Sequence, residues 1–403
     1  MNFAILSLYA ISLATSMGGM ELFGALIVFA YLFDVGRHGL RWEKVPFAMP
    51  LILFVAVSIL GIFMGSVPMD QKWFDVGRMR FFLFYFILFQ ALWRWDRDFR
   101  LLKPLFAITV LVGIYGFVQH FVAIDLFRPE GKKVLLYAIP TEKIGPLVVG
   151  TFNHHLTFAG IYFFYASLIT SLAFYDFPKK IWRLCHGLFL FLLCAWTQSR
   201  AAWAAIPVAL LSLASTQGKR FVTLTMIGIS LGAGLFYSFD SGFRERLTRT
   251  LNPADDYYQL GERRRLWKAQ IEFFKESPLW GVGFNNNERR SKEMVDKLYP
   301  DRKENFYGHA HSNLFQILAT TGLMGMAAYL WLWWEILSAC YRVCRKVGRH
   351  RQEFWLSLGV GVGFLGFHIQ GITQWNFGDA EVLHNVVFFW AMTAILSRRS
   401  LVA

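Results

Sequence analysis

The sequence predicts an all-α polytopic membrane protein of about twelve transmembrane helices with one large extracytoplasmic loop. Three observations carry this reading. Hydrophobic residues make up 55% of the 403 and charged ones only 17%, below the roughly 25% charged of ordinary soluble domains. Apolar runs near the length of a membrane span recur along the whole chain instead of marking one core. Lys and Arg gather in every second segment between runs, as cytoplasmic loops require. A soluble enzyme, a disordered chain and a disulfide-stapled module are all excluded. The net charge of +14 would suggest nucleic acid in a soluble chain; here it is loop anchoring, and no nucleic-acid partner is expected.

In order, the runs span 2–16, 21–35, 46–64, 78–93, 101–124, 155–175, 181–197, 201–216, 221–239, 312–340, 354–374 and 380–397. The first lacks a basic leader, and Met17-Gly18-Gly19-Met20 is a poor cleavage site, so it is read as a helix. The run 312–340 is long enough to tilt or project beyond the bilayer. Basic residues follow every even run: Arg37, Arg41 and Lys44; Arg94, Arg97, Arg100 and Lys103; Lys179, Lys180 and Arg183; Lys219 and Arg220; Arg342 to Arg351; and finally Arg398 and Arg399. The positive-inside rule puts both termini in the cytoplasm. The chain divides into helices over 1–239, a large outer loop over 240–310 and further helices over 311–403. Cys340 and Cys344, four apart on one helix face, are read as core packing rather than a metal pair.

Basic residues on the outer side break the pattern. Arg78 and Arg80 stand at the outer end of the fourth run, Arg200 in the turn WTQSRAAW, and Arg263, Arg264 and Arg265 at the start of an amphipathic segment with Trp267, Ile271 and Phe274 at helical spacing. A guanidinium presents a planar fork of donors that matches phosphate oxygens and stays charged at any relevant pH. Several of them at the membrane edge suit the diphosphate of a lipid carrier; the plainer reading is snorkelling to the headgroups. His309 and His311 precede the tenth run, and if helical they point about 200° apart, so only one faces inward. A neutral imidazole can accept a proton from a sugar hydroxyl. Asn153, His154 and His155 open the sixth run, where they bind sugar or cap the helix. No Asp-x-Asp occurs in the outer segments and no His-Glu-x-x-His occurs at all, and the outer acids Glu21, Asp70, Asp125, Asp379 and Glu381 are scattered. No metal or cofactor is expected, so arginine would neutralise a departing diphosphate.

Four segments in this order resemble the O-antigen ligase family, within the group that also holds O-antigen polymerases and protein O-oligosaccharyltransferases: GTFNHHLTFAG (150–160), TQSRAAW (197–203), RRRLWKAQIEFFKESPLWGVGFNN (263–286) and HAHSNLFQILATTGLMG (309–325). The third is similar to the family's Arg-x-x-x-Trp helix followed by Pro and a Gly-x-Gly turn; the fourth, to its His-Asn-x-x-x-Gln segment entering a membrane helix. Counting back from Trp267, the family arginine falls on Arg263, with Arg264 and Arg265 beside it. Counting back from Gln316, the family histidine falls on His311, with Ser312 where Asn is usual, Asn313 next and His309 second in line.

The resemblance implies a metal-independent, inverting, GT-C-like glycosyltransferase of the bacterial inner membrane, acting at its periplasmic face. Its donor would be O-antigen on undecaprenyl diphosphate and its acceptor a sugar hydroxyl of lipid A–core oligosaccharide. His311, Arg200, Arg263 and Arg265 would be catalytic. Arg80, Arg78, Arg264, His309, His154, Asn153 and Asn313 would bind substrate. The rivals are a polymerase or a protein O-oligosaccharyltransferase with the same donor chemistry and, from another class, a flippase or transporter. A flippase would favour charge at mid-membrane instead of at one face.

Overall fold

The computed structural model describes residues 2–65, 67–127, 146–175, 181–251, 260–301 and 307–402. Among them every regular element is a helix. In chain order these are α1 (Asn2–Leu13), α2 (Met17–His38), α3 (Ala48–Met64), α4 (Met69–Arg78), α5 (Arg80–Trp95), α6 (Leu102–Val122), α7 (His155–Tyr175) and α8 (Ile181–Trp196). There follow α9 (Arg200–Ser215), α10 (Lys219–Phe239), α11 (Ser241–Leu251), α12 (Leu260–Glu276), α13 (Asn286–Leu298), α14 (Asn313–Lys346), α15 (Gln352–Gly371) and α16 (Ala380–Val402). Eight stretches of helix are long and apolar enough to cross a membrane, and α1, α3, α8 and α9 are shorter apolar helices. A bilayer offers backbone groups no water, so helices that satisfy their own hydrogen bonds are the solution such a sequence requires. This is a multi-pass membrane protein.

The middle of the bundle is α7, buried over 94% of its apolar window, whereas α10 at the edge is buried over 0%. α7 packs on α8 and α15. Gly359, Gly363 and Gly366 of α15 lie against Leu168, Phe164 and Phe163 so closely that a Cβ at Gly366 would come within 1.8 Å of the Phe163 ring. Small residues let membrane helices approach where no hydrophobic force separates protein from lipid. Phe164 stacks on Phe389 at 4.9 Å, joining α16 to the same core.

The tenth run is not one tilted rod. α14 breaks at Gly322, whose φ of 62° and ψ of −162° are non-helical. The segment 278–283 (PLWGVG) lies in the break and takes up its backbone groups: Leu323 N–H donates to Pro278 O at 2.8 Å, Val282 N–H to Ala319 O at 2.9 Å and Gly283 N–H to Thr320 O at 3.0 Å. Gly281, at φ +71°, passes so near that a Cβ would sit 2.2 Å from the Thr320 carbonyl carbon. On the far side Gly61 of α3 and Gly65, just past its end, face the carbonyls of Trp280 and Val282. The Gly-x-Gly turn is thus a wedge between α3 and α14.

Cross-links sort the connections into two ends. At one, Arg398 pairs with Glu43 at 2.9 Å, Arg399 with Glu353 at 3.0 Å, and Arg349 donates to the Thr216 carbonyl. The basic connections therefore share an end. At the other, Gln374 donates to Ser199 at 2.7 Å, Asn313 to Asn376 at 2.6 Å and His155 to the Thr197 carbonyl. The segments before α7, α9, α14 and α16 meet there.

Candidate active site

A cavity of about 330 Å³ opens at this second end, lined among others by Arg78, His154, Glu288, His309, His311 and Asp379. The expectation that only one of His309 and His311 faces inward is corrected here, because the pair precedes the helix. Gly308 takes φ 117° and His311 φ 46°, α14 starts only at Asn313 after Ser312, and the two rings lie 4.0 Å apart. The His311 N–H donates to His309 Nδ1 at 3.1 Å, which leaves the His309 proton on Nε2.

Two separate segments fix this loop at Ala310. Its N–H donates to Gln316 Oε1 at 2.8 Å, and its carbonyl accepts from the Trp267 indole at 3.0 Å. Trp267 also stacks on Phe315 at 5.0 Å, while Gln316 is held by Asn287 at 3.0 Å and by Glu288 at 3.0 Å. Because Arg263 is four residues before Trp267, helical spacing puts it on the face turned to the histidines. The buried stripe of α12 runs through Leu266, Ala269 and Phe273, not through Trp267, Ile271 and Phe274. The helix packs sideways on α14, and Ile271 stays exposed.

Arg200 opens α9, capped by the Ser199 hydroxyl, which accepts from Ala202 N–H, and donates to Thr250 of α11 at 2.9 Å. Arg263 is lowered to about 10 by burial and by the charges of Arg200 and then Arg246, so it remains cationic at neutral pH and the three guanidinium groups share one neighbourhood. Arg246, buried on α11, was not singled out from the sequence. The available signal was its spacing with Phe243, Leu247 and Thr250, which puts an arginine on the inward stripe of an amphipathic helix. Burial lowers His309 to about 4 and His311 to about 2, with His309, Arg263 and His154 adding to the latter. Both imidazoles are neutral in the resting protein.

The remaining residues sort by position. Arg78 lines the histidine cavity and donates to Asn285 at 3.1 Å, whose own amide donates to Asp75 at 2.7 Å; Arg289 grips Asp75 with both nitrogens. Arg80 instead turns to Glu21 at 2.9 Å, 59% exposed, beside neighbouring cavities. Arg265 is buried, whereas Arg264 and Asn153 are exposed. The Asn313 amide joins Asn376 and the Phe377 N–H. Asp379 caps α16 through the Glu381 and Val382 N–H groups and accepts from Thr157. Burial, then Glu381, raises its carboxyl to about 7. Among the described residues no three His, Cys, Asp or Glu side chains converge as a metal would need.

A family model described as O-antigen ligase matches residues 186–330, the stretch that holds Arg200, the three consecutive arginines and both histidines. Over that stretch, about a third of the chain, the sequence is similar to the O-antigen ligase family. Members of this family are membrane glycosyltransferase-like enzymes of polysaccharide biosynthesis. The chain is also 24% identical over 390 residues, 94% of its own length and 72% of the other's, to the teichuronic acid biosynthesis protein TuaE of Bacillus subtilis. An uncharacterized protein of Haemophilus influenzae is 23% identical over 299 residues, 66% of this chain and 74% of that one.

Proposed function

We propose that the protein is an inverting, metal-independent glycosyltransferase that moves a glycan from undecaprenyl diphosphate to a hydroxyl of a second lipid-anchored glycan. In this reading the eight longer and four shorter apolar helices make twelve spans of a GT-C-like enzyme in the bacterial inner membrane. Both termini are cytoplasmic, and residues 240–310 cover the site in the periplasm. One observation carries it: Arg200, Arg246 and Arg263 gather beside two neutral imidazoles, at the end away from the basic connections.

The acceptor oxygen attacks C1 of the donor sugar as the C1–O bond to diphosphate breaks. The bond's electron pair leaves with the diphosphate, whose growing charge the three arginines neutralise. The hydroxyl proton passes to His311 or is first oriented by it, with His309 beside. His154 and Arg78 border the space where the sugars meet.

For the acceptor, the lipid A–core sugar of an O-antigen ligase is the first reading, following the family model. A polymerase, adding to a second undecaprenyl-linked glycan, is the alternative. Purified protein given a labelled undecaprenyl-diphosphate glycan, with and without rough lipopolysaccharide, separates them on a gel. Arg200→Ala or Arg263→Ala is expected to cost about 10²–10³ in rate and His311→Ala about 10²–10⁴, while EDTA changes nothing. Inhibition by EDTA that Mg²⁺ reverses would remove the metal-free mechanism.

A further inference from the structure

Arg80 is the outer arginine that the histidine cavity does not use. Arg78 lines that cavity; Arg80, two residues on, lines a groove of about 330 Å³ between α2 and α5, with α16 behind it. The walls are hydrocarbon, Ala25 and Val28 of α2 against Leu83 and Ile87 of α5, and the charge in them is confined to Glu21 and Arg80. Arg80 Nη2 donates to Glu21 at 2.9 Å, the two side chains 59% and 39% exposed. Nη1 donates to the Gly77 carbonyl at 3.1 Å, and the guanidinium lies 4.4 Å from the centre of the Phe81 ring. These contacts hold the fork at the mouth of the groove.

The floor is His384, 4% exposed and one helical turn in from the start of α16. Its Nδ1 meets the Tyr9 hydroxyl at 3.1 Å, and its Nε2 has no hydrogen-bond partner among the described residues. Gly24 lies over the ring: a Cβ there would stand 3.9 Å from His384 Cε1, so the bare backbone keeps the imidazole next to the groove. A buried polar atom that the protein leaves without a partner calls for one from outside the chain.

We infer that this groove holds one zwitterionic glycerophospholipid with a primary ammonium, phosphatidylethanolamine, its phosphate on Arg80, its ammonium on Glu21 and its glycerol esters beside His384. The occupant is set by charge complementarity. An exposed ion pair is worth little by itself, so it opens at small cost to take a headgroup, and each partner then gains a charge-assisted bond. An anionic lipid would satisfy Arg80 but set a second negative charge beside Glu21, and a diphosphorylated glycolipid would do so more strongly. A trimethylammonium headgroup has no N–H to donate to the carboxylate. The inference does not rest on the reaction proposed above.

The test measures retained lipid rather than turnover. The full chain, purified in detergent and washed free of lipid, is given equimolar phosphatidylethanolamine, phosphatidylcholine and phosphatidylglycerol of identical acyl chains, and bound lipid is read by native mass spectrometry. One equivalent of phosphatidylethanolamine should be retained, about tenfold over either of the others. Glu21→Gln should lower the ethanolamine-to-glycerol ratio about tenfold, and Arg80→Gln should lower retention of all three. Ala25→Leu leaves both charges in place and fills the groove from the exposed face of α2; it should lower retention of all three without changing their order, whatever the charge variants do to folding. Equal retention of the three lipids by wild type, a wild-type ratio in Glu21→Gln, or undiminished retention in Ala25→Leu would overturn the inference. So would displacement of phosphatidylethanolamine by an equal amount of diphosphorylated lipid A, which would make the groove a site for an anionic glycolipid.

Discussion

A histidine lowered to about 2 is a weak base at rest, and the causes of that shift say what changes it. Burial is largest, but Arg263 contributes, so in the proposed reaction a diphosphate that neutralises Arg263 would restore part of the basicity of His311 when it is needed. Asp379, raised to about 7, titrates near neutrality in this cavity. Below pH 7 it is neutral; above, its charge would favour the imidazolium that the proposed reaction forms. We expect kcat/KM to rise with pH through about 7 and this rise to be flattened in Asp379→Asn; a step near 6.5 abolished by His311→Asn instead would show that the imidazole itself titrates. Arg246→Gln should cost about as much as Arg263→Ala, roughly 10²–10³, and near-normal turnover would take Arg246 out of the cluster. Arg200 was singled out by its place in the outer turn WTQSRAAW and Arg263 by its spacing before Trp267. Arg246 was not, since one arginine among the 14 Lys and Arg of residues 240–310 carries no mark until α11 is seen to turn it inward.

The order of apolar helices was legible because hydropathy is local, and the start of α7 at His155 lies where the sixth run was placed. The break in α14 was not. Gly322 adopts its positive φ because 278–283 enters from a distant part of the chain, and no window on the sequence contains both. The same contact makes a prediction. Gly281→Ala places a methyl against the Thr320 backbone at positive φ, a strain of about 1–3 kcal/mol, and should lower the midpoint of thermal unfolding in detergent. Gly228→Ala, facing open space on α10, should raise it by up to about 1 kcal/mol of stability. Equal midpoints for the two variants would mean that the wedge bears no load.

At the scale of the molecule, charge is partitioned. Basic connections pair with Glu43 and Glu353 at one end, and the arginines that face phosphate in our reading stand at the other. With native cysteines replaced, a membrane-impermeant maleimide should label Asn153→Cys and Arg264→Cys in intact spheroplasts, and Gly39→Cys and Arg97→Cys only after permeabilisation; all four positions are exposed. The reverse pattern would put the site in the cytoplasm and remove the periplasmic assignment.

The double anchoring of the Ala310 peptide, by Gln316 on one side and Trp267 on the other, makes the imidazole loop an anvil rather than a hinge. In the proposed reaction both glycans are carried to it by their lipids, so turnover in a bilayer would be paced by lateral traffic: diluting either carrier among other lipids should slow the enzyme even when its bulk concentration is unchanged.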